Sequence, residues 1–410
     1  MLMTLPEIYL VRQPMTTPFT HGAHRRQTSE SVVLRWTRGA FTGIGECAPR
    51  RYVTAEDCES VLAELRSIDF ARLAQALASV DPIDRGRTLY EQGLPFFPDK
   101  AVGNNTRCLV EMAVLDTLAQ QAELPLSSYL LHITAPVTAT RRVLPAQANI
   151  TQVLDLSQSV QVFFQQRKPL RSLKLKLEAD LHANRQRLES LRALAPTLDL
   201  YVDPNMSWSA DQLHNSARQL RDLDVALFEE PLPRGSLEDY RQARRKLGIA
   251  IMLDESVISP SSLALAWKHQ ALDAVNLRIA KCGGLLATTK MIEQCHHWGL
   301  PVYLGVQVAE VGPLIAAHRA LLTAYDGFLG VEAGQHDRFF DSDLMEPIPA
   351  IDRQHNAIPL PVPARPGLGC QLTPHILPFQ QATEAVKHLK EPLNSERAQR
   401  SIFPICLSTC

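Results

Sequence analysis

The sequence predicts an α/β protein, a parallel (β/α)8-type barrel preceded by a smaller α+β domain. Three observations carry that prediction. Short apolar, β-rich runs recur at near-regular intervals, amphipathic segments lie between them, and three consecutive runs end in an acid: Asp203 in LDLYVDPN, Glu229 in VALFEEP and Asp254 in IAIMLDES. Residues at the ends of successive parallel strands converge on the mouth of a barrel, so acids distant in sequence meet there.

Taken in order, the strand-like runs are Leu144 to Ile150, Leu173 to Leu177, Leu198 to Asp203, Val225 to Glu229, Ile249 to Asp254, Ala274 to Ile279, Pro301 to Gly305 and Phe328 to Glu332. Segments with apolar residues at helical spacing separate them, among them Ala183 to Leu194, Ala210 to Leu223, Ser236 to Leu247, Ser261 to His269, Ala287 to Trp298 and Pro313 to Ala324. This alternation argues for a parallel sheet closed by crossover helices. An open doubly wound sheet would carry a glycine-rich phosphate turn after its first strand, and the chain has none.

Residues 1–135 read as a separate α+β capping domain, with strands at Glu7 to Arg12 and Val32 to Trp36, a Gly43-Ile44-Gly45 turn, and helices at Glu56 to Arg66 and Arg107 to Ala122. The barrel spans 136–345. The proline-rich stretch 346–372 suits an extended return over the cap, and 373–410 reads as a tail with one helical stretch near Gln380 to Leu389.

Composition excludes several classes of partner. Lys and Arg number 42 against 43 Asp and Glu, which gives neither nucleic acid nor a membrane surface a reason to bind. Eight cysteines show no zinc-type spacing and no disulfide framework, no apolar run reaches membrane-spanning length, and the N-terminus lacks a signal pattern. A cytoplasmic protein acting on a small molecule is the expectation.

The acids suit one hard divalent cation, Mg²⁺ first and Mn²⁺ as a substitute, since no Cys or His stands at the matching positions. One unit upstream, Lys174 and Lys176 in LKLKL fall on the same strand face. Removing a proton next to a carboxylate produces an enediolate, whose charge needs stabilising where it develops. Lys176 suits the base, with the like charge of Lys174 lowering its pKa and facing the substrate carboxylate.

Together these residues resemble the enolase superfamily, and within it the muconate-lactonizing-enzyme group that includes dipeptide epimerases, N-acylamino-acid racemases and o-succinylbenzoate synthases. The resemblance also rests on GIGECAPRRYVTAED, NNTRCLVEMAVLDTLAQQAELPLSSYL and the PGLG at 366–369. It implies the modified (β/α)7β barrel, Asp203, Glu229 and Asp254 as metal ligands, Asn205 beside them, Lys176 as acid/base, and a homo-oligomer.

The chain departs from that group on the sixth strand. Where the group has Asn-x-Lys, with Gly-Gly close behind, this chain reads Asn276-Leu277-Arg278-Ile279-Ala280-Lys281-Cys282-Gly283-Gly284. The second acid/base position is therefore Arg278, while Lys281 has the opposite strand parity. An arginine is a poor proton shuttle. One-base chemistry through Lys176 remains open to such a site, with Arg278 acting electrostatically.

Further candidates come from the same comparison. His21, His24, Arg25 and Arg26 in one cap loop and Arg50, Arg51 and Tyr52 in another suit a second anionic group on the substrate. Gln307, Glu310, Glu332, His336, Asp337 and Arg338 lie near the ends of the last two strands, and the Asp-x-Asp that grips a dipeptide ammonium is missing there. The substrate-contact set is Asn205, Arg50, Tyr52, Lys281, Glu310 and Glu332. Alternation turns Glu230 and Glu255 away from the ligand face. The reaction expected is an isomerisation (cycloisomerase, racemase or epimerase type) of a small carboxylate, such as an amino-acid derivative. Alternatives are a lyase sharing the first half-reaction and a metal-binding homologue without turnover.

Overall fold

The computed structural model describes residues 6–21, 24–78, 81–95, 102–134, 147–156, 158–167, 169–333, 339–341, 343–360 and 365–381, with His21 and His24 described by backbone alone. Expectations at Leu144, His336, Asp337, Arg338 and residues 382–410 lie outside the described residues.

Eight parallel strands form one sheet in sequence order: Gln152–Leu154, Ser172–Lys176, Asp199–Asp203, Val225–Glu229, Ile251–Leu253, Ala274–Leu277, Val302–Leu304 and Phe328–Val331. The last strand returns to the first, where Thr151 N–H donates to Val331 O at 2.8 Å and Ile150 bridges Val331 in parallel. Between successive strands run seven helices, giving the (β/α)7β barrel.

Local chemistry sets the helix ends. Asp180, Ser209 and Ser259 accept hydrogen bonds from the first turns of helices Leu181–Leu194, Ala210–Gln219 and Pro260–Lys268. Gly248 and Gly299, both at φ 66°, stop helices Leu237–Leu247 and Leu285–Trp298 in the left-handed conformation that favours glycine.

The LKLKL pattern shows how period 2 divides the strand. Leu173, Leu175 and Leu177 are buried in the main core, each such side chain contributing about 1.5–3 kcal/mol, while Lys174 and Lys176 occupy the other face. On that inner face Tyr201, Leu227, Met252, Ala274 and Tyr303 cluster into an apolar floor. Two residues further along their strands stand Asp203, Glu229, Asp254 and Asn276.

Two expectations are corrected. The run Leu144 to Ile150 is not the first barrel strand: Gln147–Asn149 pairs antiparallel with Ala357–Pro359, and the barrel begins at Gln152, where the buried Val153 and Leu154 lie. Gly43-Ile44-Gly45 is not a turn either. It lies within strand Phe41–Cys47 of an antiparallel sheet with Glu7–His21 and His24–Arg38. Its glycines let helix Asn104–Gln121 approach, since a Cβ at Gly43 or Gly45 would stand 1.9 Å from Ala113 O or Leu109 O.

Buried cap carboxylates fasten this sheet to the barrel. Glu46 accepts from Val311 N (2.7 Å), Gly312 N (3.1 Å) and Leu314 N (3.0 Å), at the start of helix Pro313–Ala324. Glu111 accepts from Leu286 N at 2.9 Å, at the start of helix Leu285–Trp298. Both acids meet the positive end of a helix dipole. A third, Asp116, accepts from Ile44 N (3.0 Å) and Leu368 N (2.8 Å), drawing the PGLG return segment onto the cap.

Burial, with Glu310 nearby, pushes the Glu46 carboxyl up to about 7 despite its backbone donors. An acid whose folded value lies above its unfolded value of 4.5 binds its proton more tightly when folded. Its contribution is therefore complete below about 4.5 and is lost as pH rises through about 7. Glu46→Gln is expected to flatten the decline in thermal midpoint between pH 5 and 8 relative to the parent, as read by calorimetry across that range.

Candidate active site

One pocket opens at the C-terminal ends of the barrel strands. Its walls include Tyr52, Lys174, Lys176, Asn205, Glu255, Arg278, Gln307, Glu310 and Glu332. Beneath it Asp203, Glu229 and Asp254 are at most 1% exposed. Seven of the twelve sequence-derived site residues thus line the pocket and three underlie it.

Strand register accounts for the pairings. Lys176 stands opposite Asp203 across the second and third strands and its Nζ donates to Asp203 Oδ2. Lys174 Nζ lies 2.8 Å from Glu229 Oε2 and 2.5 Å from Glu332 Oε1, over the Tyr303 ring at 5.0 Å. Burial alone would lower the Lys174 pKa, but Glu229 and Glu332 raise it well above the usual value. The counterpart Glu229 would be raised by burial, yet Lys174, Lys176 and Arg278 hold it at about 2. Asn276 Nδ2 donates to its other oxygen at 2.8 Å.

Arg278 reaches into the same layer from the sixth strand, four strands from Lys176 and so across the barrel. Its Nη2 contacts Asp254 Oδ2 and lies 4.0 Å from Glu229 Oε1 and 3.9 Å from Glu255 Oε1. Its Nη1 donates to Gln307 Oε1 at 3.3 Å. Each of the three acids thereby carries its own cation. Among the described residues, no group of three His, Cys, Asp or Glu side chains stands arranged to hold a metal ion.

Two of the expected substrate contacts lie off the pocket wall. Arg50 does not line the pocket: its guanidinium donates to the carbonyls of Glu30 (2.9 Å), Pro49 (2.8 Å) and Val308 (2.8 Å), locking cap to barrel. Lys281, fully buried, also lies off the pocket wall and donates to Asp254 O (2.6 Å), Asp254 Oδ1 (2.8 Å) and Asn276 O (2.7 Å). Burial lowers its pKa to about 8. The opposite parity read from the sequence corresponds to a side chain that supports the sixth-strand turn from behind.

Glu255 lines the pocket although strand alternation turned it away. The strand ends at Leu253, so alternation no longer governs residue 255. Burial, then Asp203, Glu230 and Glu229, push its carboxyl up to about 8, and its Oε2 has no hydrogen-bond partner. Glu230 instead accepts from Asp254 N at 2.7 Å and from the Ser256 hydroxyl, fixing the loop that carries Asp254. Glu310 accepts from Gln307 N at 2.8 Å, with buried His318 Nε2 at 3.5 Å from its other oxygen. No local pattern points to the apolar pocket residues Phe19, Val153 and Phe339, which come from three separate segments.

Residues 157–376, more than half of the chain, match the family described as enolase C-terminal domain-like. The chain is 26% identical over 326 residues to an L-Lys-D/L-Arg epimerase of Methylococcus capsulatus, covering 78% of this chain and 86% of that protein. It is also 26% identical over 379 residues to an N-succinylamino acid racemase of Amycolatopsis sp., covering 90% and 95%. The crystal structure of a dipeptide epimerase from Cytophaga hutchinsonii, complexed with Mg and the dipeptide D-Ala-L-Val, superposes with a TM-score of 0.76 at 19% identity, covering 93% of this chain and 99% of that one.

Removing the Lys281 ammonium leaves Asp254 short of a permanent partner. Lys281→Met is expected to lower stability by about 3–5 kcal/mol in urea unfolding, the range for breaking a buried ion pair from one side.

Proposed function

The chain belongs to the enolase C-terminal domain-like family, and from that premise we propose that it is a Mg²⁺-dependent isomerase that removes the proton next to the carboxylate of a small substrate. The carrying observation is that Lys176 and Arg278 line one pocket directly above Asp203, Glu229 and Asp254. An enzyme of isomerase type agrees with the epimerase and racemase named among its relatives.

The donor set fits a hard divalent ion. Five buried carboxyl groups, on Asp203, Glu229, Asp254, Glu255 and Glu332, stand among Lys174, Lys176, Arg278 and Lys281, and the first three supply the oxygen chemistry that such an ion prefers. The Asn205 Oδ1 is also buried without a hydrogen-bond partner, on a backbone at φ 52°. Asp203, Glu229 and Asp254 would hold Mg²⁺, which when bound supplies positive charge to the substrate carboxylate and makes the neighbouring proton more acidic.

The protein's own groups account for the remaining steps. Lys176, once unprotonated, takes the proton onto Nζ from one face of the substrate. Lys174, kept charged by Glu229 and Glu332, adds positive potential where the enediolate charge develops. Arg278 on the opposite side contributes positive charge. Because Arg278 is a poor proton shuttle, the proton moves only on the Lys176 face, and in a cycloisomerisation the ring bond at the carbon β to the carboxylate breaks as that proton leaves or forms as it is gained.

Proton NMR in D₂O with Mg²⁺, on N-acylamino acids, dipeptides and dicarboxylates, checks the reading. The parent is expected to exchange the α-proton with retained chirality, and Lys176→Ala to lose that exchange by at least a hundredfold while binding Mg²⁺ by calorimetry as before. Full exchange by Lys176→Ala would refute the role of that lysine. Arg278→Lys is expected to add epimerisation, seen as a falling optical rotation.

A further inference from the structure

Above its charged floor the pocket changes character. Phe19 of the cap hairpin, Val153 of the first barrel strand, Ala309 after the seventh strand and Phe339 after the eighth form one buried apolar cluster with Met15. The Phe19 and Phe339 rings meet edge to face, with centroids 6.2 Å apart. All four residues packed with Met15 line the pocket.

This wall is built rather than incidental. The register of strands Glu7–His21 and His24–Arg38 shifts between Pro14 and Phe19, so that three extra residues on the first strand bend the hairpin at the point where Phe19 meets the barrel. Thr16 N donates to Phe339 O at 2.9 Å, the Ser29 hydroxyl to Ala309 O, and Arg50 to Val308 O at 2.8 Å. Donors from the cap thus fix two of the three barrel segments that carry the wall, those of Ala309 and Phe339.

Charge on the described residues points the same way. Lys174, Lys176 and Arg278 are each engaged by acids of the floor, and Arg50 is spent on carbonyls. Arg26, the cross-strand neighbour of Phe19, does not line the pocket. A charged substituent pressed against Phe19 and Phe339 would surrender its hydration without a described partner there, whereas an apolar one would gain by leaving water.

We propose that the substituent on the carbon next to the substrate carboxylate is apolar, an aliphatic or aromatic side chain, and that Phe19 and Phe339 are the specificity-determining residues that receive it. This replaces the second anionic group suggested by the cap's basic residues, and it rests on the proposed proton chemistry for the carboxylate end.

The test sets N-acetyl derivatives of leucine, phenylalanine and methionine against those of glutamate and lysine, with the full chain and Mg²⁺. Both α-proton exchange in D₂O and calorimetric binding are read. The apolar set is expected to exceed the charged set at least tenfold in kcat/KM and in affinity, with Phe19→Ala and Phe339→Ala eroding that margin mainly through KM. Equal or better use of the charged derivatives by the parent overturns the inference and leaves the proton chemistry standing. Selective binding of the apolar set without exchange supports the wall and refutes the reaction proposed above. Neither binding nor exchange with any compound overturns the inference.

Discussion

A layer of buried, mutually neutralising charge at the strand ends governs this molecule. An isolated carboxylate or ammonium in such a place would be too costly to keep ionised, and an ion pair repays that cost only when geometry is good and the remaining lone pairs are satisfied. Here the layer is continuous: Lys176 with Asp203, Lys174 between Glu229 and Glu332, and Asp254 between Arg278 and Lys281. Withdrawing Lys176 would strand Asp203, and withdrawing Lys174 would leave Glu332 without its lysine. The groups that would carry the proposed chemistry also link strands two, three, four, five, six and eight to one another.

Residues of similar type are divided between pocket and support. Lys174, Lys176 and Lys281 are all buried lysines, yet only the first two reach the pocket. Lys281 spends its three hydrogens on two carbonyls and one carboxylate, which suits a permanent support. The aromatic and aliphatic floor of Tyr201, Leu227, Met252, Ala274 and Tyr303 completes the division by keeping water from below the acids. Electrostatic interactions above such a floor act at lower effective dielectric than in solution.

Much of this was legible from the chain. That Asp203, Glu229, Asp254 and the paired lysines meet at one barrel mouth follows from strand periodicity and spacing, because parallel strands obey both along their length, whereas Arg278 stood out only through the resemblance to the enolase superfamily. What escaped notice lies where those rules stop. Glu255 stands beyond the last residue of its strand, Gly43 and Gly45 serve a close helix approach instead of a turn, and the first barrel strand starts later than its apolar run suggested. Arg50 looked like a substrate contact because an arginine in a cap loop signals an anion, and only tertiary structure shows its guanidinium facing three carbonyls. Phe19 and Phe339, separated by most of the chain, have no local signature that would bring them together.

The way the cap is fastened bears on how the chain is made. Its sheet packs Tyr9 and Val11 against Ile376, Asp116 holds Leu368, and Glu46 and Glu111 receive backbone hydrogens from residues 286 to 314. During synthesis on the ribosome the cap therefore precedes these partners: those of Glu111 and Glu46 follow at residues 286 to 314, and Leu368, which joins Ile44 on Asp116, follows later still. Until they arrive, the cap's apolar faces that pack on Val311, Leu344 and Ile376 stand uncovered, the condition in which a nascent chain is prone to aggregate.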